Sequence, residues 1–193
     1  MSHYSWRKDL LTVPNFLSIF RLLLIPVYIR MYCSAVTPLD HYLAGSVLGL
    51  SCLTDLADGK IARKYKMISN AGKLLDPLAD KLTQLALIVS LSGVHRILYP
   101  VLILFLIKES FQTVTMLLFL QKGKVLPGAL YSGKLCTTVL FVSLTVLVLF
   151  PNLSPSLVTV FVLADGMFLL YSFACYIQAY FGTANKLTDF QSE

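Results

Sequence analysis

Charge is scarce in this chain, and cysteine and histidine are scarcer still. Only 13% of the residues are charged, against about a quarter in an ordinary soluble domain. Cys33, Cys52, Cys136 and Cys175 lie far apart, with no CxxC spacing and no histidine cluster beside them. That pattern excludes a zinc site or a disulfide framework and leaves packing as their role. His3, His41 and His95 fall near the ends of apolar runs, which speaks against a histidine catalyst. There is no long linker, low-complexity tract or internal repeat, so residues 1–193 read as a single domain. No small-residue cleavage site follows the first apolar run, which is therefore a retained span and not a signal peptide.

Apolar sequence is what the chain has in abundance. Hydrophobic residues make up 56% of it, with a mean hydropathy of +0.73, values that belong to an integral membrane protein. The apolar runs are continuous and do not alternate with polar residues, which selects helices over a closed barrel. The fold class expected is all-α: a bundle of six transmembrane helices at residues 16–32, 40–62, 73–93, 97–120, 130–150 and 156–181. Tyr4, Trp6 and Arg7, ahead of Pro14, predict a short interfacial helix over residues 2–11.

Six spans sort the basic residues. Arg7, Lys8, Lys60, Arg63, Lys64, Lys66, Lys73, Lys122, Lys124 and Lys186 fall on one side, and only Arg30 and Arg96 on the other. Short loops that keep positive charge stay in the cytoplasm, so both termini and the segment around residue 65 are expected there, in a multi-pass protein of the inner or plasma membrane. The net charge of +6 is then a topology signal that also suits anionic lipid. It gives no support to a nucleic-acid partner.

Against this apolar background, four aspartates gather where the second and third spans meet. A carboxylate near the centre of a membrane helix costs roughly 2.5–3.5 kcal/mol on insertion scales, so four together require a compensating partner. Asp55 and Asp58 are three residues apart and Asp76 and Asp80 four apart, which puts each pair on one face of its helix. The short connection from Lys64 to Ala71 brings both helix ends together. Oxygen-only donors without cysteine or histidine suit a hard divalent cation, Mg2+ or Mn2+, and four acids accommodate two ions. Gly59, Ala62 and Gly72 are small enough for close approach of a ligand, and Arg63 offers a fork for phosphate. The alternative for the small residues is tight helix packing alone.

The stretch Asp55-x2-Asp58-Gly59-x2-Ala62-Arg63-x8-Gly72-x3-Asp76-x3-Asp80 resembles the signature of the CDP-alcohol phosphotransferase (CDP-alcohol phosphatidyltransferase) family at every defining position and spacing. The resemblance implies an enzyme that transfers the phosphoalcohol of a CDP-linked donor to an acceptor hydroxyl and releases CMP. It implies that Asp55, Asp58, Asp76 and Asp80 hold a pair of metal ions and that Asp80 is the general base. Asp58, Gly59, Ala62, Arg63 and Gly72 would bind CDP. A family member of this kind is expected to be a homodimer.

Pro14-Asn15, Arg21 and Gly133-Lys134 are similar to the pattern of the bacterial phosphatidylglycerophosphate synthases within that family. That similarity implies CDP-diacylglycerol as donor and glycerol 3-phosphate as acceptor, with Arg21, Lys108 and Lys134 receiving the acceptor's phosphate. Lys108-Glu109 stands where those enzymes have Arg-Glu, Met116 where a second Arg is common, and Cys136 and Leu140 where Lys and Gln are frequent. Fewer cations favour the alternative, a CMP-forming cardiolipin synthase with phosphatidylglycerol as acceptor. Arg21 and Lys134 also admit a bland reading, snorkelling to the membrane surface. Lys108 and Glu109 are adjacent, and neighbours on a helix point in different directions, so separate buried partners are expected for them. Asp165 is expected to be structural, bonding across helices or facing Lys108. The reading from another class is a divalent-cation transporter, for which broken helices or inverted repeats would be the sign, and neither is visible.

Overall fold

The computed structural model describes the backbone of residues 13–65, 72–121 and 131–189 and the side chains of residues 15–54, 77–119, 121 and 131–181. Among the described residues are α1 (Val13–Cys33), α2 (Pro38–Tyr65), α3 (Gly72–Val94), a 3₁₀ turn (Arg96–Leu98), α4 (Tyr99–Gln121), α5 (Tyr131–Leu149) and α6 (Pro155–Asp189), and no strand. The all-helical expectation is met. Four stretches, Asn15–Cys33, Arg96–Phe119, Tyr131–Leu149 and Pro155–Phe181, are long and apolar enough to cross a membrane. The expected six are not reached by that measure among the described residues. α2 and α3 are the two that fall outside it, and they are the helices that carry the charged signature at adjoining ends. The interfacial helix expected over residues 2–11 lies outside the described residues.

The chain divides into two compact units, one of Met1–Gly93 with Leu144–Asn152 and one of Val94–Ser143 with Leu153–Glu193. In the first, α1 packs along α2. The turn between them ends in a capping box. Thr37 precedes Pro38, the first helical residue, and its backbone N–H donates to Asp40 Oδ2 at 2.8 Å while Asp40 N–H returns to Thr37 Oγ1 at 3.3 Å. Tyr32 meets His41 edge to face beside that turn, centroids 5.3 Å apart. Further along α2, the side chain of Leu149 fills the space a Cβ would need at Gly45, so the last turn of α5 seats on α2 at a glycine.

α1 also bonds to α3. Tyr28 and Ser90 lie 3.0 Å apart, and because Ser90 Oγ donates to the Ala86 carbonyl at 2.8 Å, Tyr28 is the donor between them. Ala44, Leu48, Leu87, Ile88 and Leu91 are among the buried interior residues of this unit.

In the second unit the 3₁₀ turn lies against α4 and α6 with Leu98 buried, and α4 packs on α6. Phe111 and Phe173 join those helices edge to face at 5.3 Å. α6 starts on Ser154, whose Oγ accepts from the Leu157 N–H at 3.5 Å, with Pro155 as its first residue. Outward positions on the long helices are apolar, among them Phe16, Ile103, Val142, Val160 and Met167. Such surfaces suit lipid and not water.

Candidate active site

Three helices of the first unit converge below the signature. Leu24, Ile25 and Tyr28 of α1, Val47, Leu48 and Ser51 of α2, and Thr83 and Ala86 of α3 line one small void. From these residues the helix rise of 1.5 Å per residue locates the acidic positions. Asp55 stands four residues beyond Ser51 and Asp80 three before Thr83, about 6 Å and about 4.5 Å along their axes. Asp58 stands seven beyond Ser51 and Asp76 seven before Thr83, each about 10 Å along. Along their own helices Asp55 and Asp80 thus stand nearer the void, and Asp58 and Asp76 farther from it. The side chains of Asp55, Asp58, Gly59, Ala62 and Arg63 on α2, and of Gly72 and Asp76 on α3, lie outside the described residues. No group of three metal-ligating side chains occurs among the described residues.

Asp80 is described, and it has a partner. Arg21 Nη1 donates to Asp80 Oδ1 at 2.8 Å. Arg21 belongs to α1, three residues before Leu24. Its side chain is 2% exposed and that of Asp80 56%. The pair is therefore lopsided: the guanidinium is enclosed between helices while the carboxylate stands in the open. Asn15, Ser18 and Arg21 form a buried polar row at three-residue spacing in an otherwise apolar helix. Ser18 was not singled out from the sequence, although that spacing was there to be seen.

The other expected acceptor contacts lie in the second unit. Lys134 is exposed in the first turn of α5, next to buried Gly133. Lys108 is 2% exposed on α4. Its Nζ donates to Glu109 Oε1 at 2.6 Å, which corrects the expectation of separate partners. Cβ directions at adjacent helical positions diverge by about 100°, but the four-carbon stem of lysine is long enough to curl back. Lys108 Nζ also lies 5.7 Å from the centre of the Tyr176 ring, within cation–π range. The Tyr176 hydroxyl occupies the place where a Cβ on Gly133 would fall, so any side chain there would displace the ring. Neither Tyr176 nor its neighbour Tyr180, stacked at 5.9 Å, carries a sequence signal that separates it from other aromatics of a membrane helix. Asp165 is fully buried and accepts from Ser143 Oγ at 2.7 Å, the cross-helix bond expected of a structural residue.

The family model described as CDP-alcohol phosphatidyltransferase matches residues 11–178. A probable phosphatidylglycerophosphate synthase of Mycobacterium tuberculosis is 31% identical over 145 residues, 74% of this chain and 68% of that protein. A CDP-diacylglycerol–glycerol-3-phosphate 3-phosphatidyltransferase of Rickettsia bellii is 44% identical over 70 residues, 36% of this chain and 38% of that protein. A CMP-forming cardiolipin synthase of Streptomyces coelicolor is 33% identical over 129 residues, 66% of this chain and 60% of that protein.

Proposed function

The chain belongs to the CDP-alcohol phosphatidyltransferase family, and from that premise we propose that it transfers the phosphatidyl group of CDP-diacylglycerol to glycerol 3-phosphate, releasing CMP. The observation that carries this is the pairing of Asp80, the last signature acid and open to solvent, with the enclosed Arg21. Oxygen donors without cysteine or histidine fit a hard divalent cation, and Asp55, Asp58, Asp76 and Asp80 would hold two, Mg2+ or Mn2+. Bound there, the ions supply neutralisation of the donor's pyrophosphate and of the charge on departing CMP.

The chain's own residues do the rest. Gly59, Ala62 and Gly72 give the cytidine diphosphate close approach to the backbone, and Arg63 offers it a fork. The acceptor hydroxyl oxygen bonds to the phosphorus that carries diacylglycerol as the bond from that phosphorus to the bridging oxygen of CMP breaks. Asp80 takes the hydroxyl proton. Lys134, exposed at the head of α5, receives the acceptor's phosphate. Lys108 is the weaker candidate for that contact, since Glu109 already takes its charge.

This activity goes with six spans, α2 and α3 included, in one catalytic domain, with both termini and the 64–71 connection facing the cytoplasm and a homodimer in the membrane. A probe at Asn70 that reacts only from the cytoplasmic side supports that orientation, and reaction from outside sealed cells overturns it.

A second acceptor, phosphatidylglycerol, is favoured by the Streptomyces relative and by the neutralised Lys108. Purified protein given labelled CDP-diacylglycerol and Mg2+ separates the readings. CMP appearing only with glycerol 3-phosphate supports the first. CMP with phosphatidylglycerol alone transfers the assignment to a cardiolipin synthase, and no CMP with either removes the transferase in favour of cation transport.

A further inference from the structure

Arg21 has the residue type of an anion contact but not the placement of one. A side chain that receives a soluble phosphate must reach the space the phosphate enters, and Arg21 is 2% exposed. As a stabilising device the pair with Asp80 is also poor, because the exposed carboxylate is screened by solvent. What the geometry does supply is orientation. A planar guanidinium bonded to one carboxylate oxygen at 2.8 Å fixes the rotation of that carboxylate about its last torsion. The bond between Tyr28 and Ser90 pins the register of α1 against α3 two turns deeper, so Arg21 keeps its level beside Asp80.

We propose that Arg21 is a positioning residue for Asp80, held behind the signature to aim its last carboxylate, and not a contact of the acceptor's phosphate. The assignment rests on the transferase function proposed above. Its role is comparable to that of partners behind metal-ligating side chains, whose loss typically weakens metal affinity 10–100-fold.

The test compares Arg21→Gln and Arg21→Lys with the unmutated full chain, purified in detergent, the lysine variant keeping a charge in place should the glutamine variant fail to fold. Positioning predicts that kcat falls by about 10²-fold in Arg21→Gln, with the KM for glycerol 3-phosphate moving less than about threefold. Binding of Mn2+ alone, followed by electron paramagnetic resonance without substrate, weakens by about tenfold. In an Asp80→Asn background, Arg21→Gln then has no further effect on either readout. A KM for glycerol 3-phosphate raised tenfold or more at retained kcat makes Arg21 a phosphate contact and overturns the proposal. So does unchanged Mn2+ affinity in a folded variant, or an additive double mutant. Should the unmutated protein release no CMP, the transferase function falls, while the Mn2+ arm and its double mutant still decide what Arg21 does for Asp80.

Discussion

Arg21 and Lys108 are both buried basic side chains with a carboxylate at hydrogen-bonding distance, 2.8 Å and 2.6 Å respectively. Their partners differ. Asp80 is on another helix and 56% exposed, whereas Glu109 is the next residue and 13% exposed. A pair closed on both sides is shut away from solvent, and its removal as a unit can be nearly neutral for stability. A pair with one end open keeps a carboxylate where a ligand can meet it. The contrast suggests a rule for reading charge inside a membrane: ask which end of the pair solvent can reach.

The largest effect expected from this contrast lies at the open end. Asp80→Asn, and likewise Asp55→Asn or Asp76→Asn, should lower CMP release by at least about 10²-fold, because each removes a carboxylate proposed to hold the metal ions; Asp80→Asn also leaves the Arg21 guanidinium enclosed beside a neutral group and should lower the unfolding temperature as well. Metal affinity should fall with activity. Near-normal turnover in Asp80→Asn would erase the distinction between the two pairs.

At the closed end the expected effect is on folding. Glu109→Gln leaves Lys108 buried beside a neutral group and should cost about 3 kcal/mol of stability, read as a lower unfolding temperature in detergent. Adding Lys108→Met should recover most of it. If that double variant instead raises the KM for glycerol 3-phosphate tenfold or more, Lys108 belongs with the acceptor and its pairing with Glu109 is a resting arrangement.

The two pairs were not equally legible in the sequence. The helices follow from continuous apolar runs, and the spacing of Asp55, Asp58, Asp76 and Asp80 marks the candidate site. Arg21 was visible as a charge in the first span, but its partner, 59 residues away, depends on how α1 meets α3. Lys108–Glu109 was misread because helix periodicity describes where Cβ atoms point and not where a flexible lysine ends. The need for glycine at position 133 is a packing fact created by Tyr176 on another helix, which no local pattern encodes. α2 and α3 show the reverse case. Their acids make them conspicuous in sequence and take them below the apolarity of the other four helices.

Lys134 tests the acceptor side of the comparison, since it is the exposed cation of the second unit nearest the head of α5. A charge-assisted hydrogen bond to phosphate is worth roughly 1.5–3 kcal/mol, so Lys134→Ala should raise the KM for glycerol 3-phosphate by about one to two orders of magnitude with little change in stability. With phosphatidylglycerol the loss should be smaller, because acyl chains already hold that acceptor in the bilayer. Equal losses with both would mean that Lys134 serves the donor.

The smallest effect concerns the bond that keeps the open pair in register. Tyr28 is 1% exposed, and its hydroxyl donates to Ser90 Oγ, which itself donates to the Ala86 carbonyl. In Tyr28→Phe the serine keeps its own acceptor, so no buried donor is stranded, and the expected loss is only about 0.6 kcal/mol, the average for such bonds between membrane helices. Ser90→Ala strands the tyrosine hydroxyl in an apolar interior and should cost more, about 1–3 kcal/mol. Thermal unfolding of the two variants checks the order. Because α1 and α3 stay packed in Tyr28→Phe, kcat should fall less than about twofold. A fall in kcat as deep as that of Arg21→Gln would mean that turnover depends on how α1 and α3 are registered over their whole length, and that Asp80 has no special anchor.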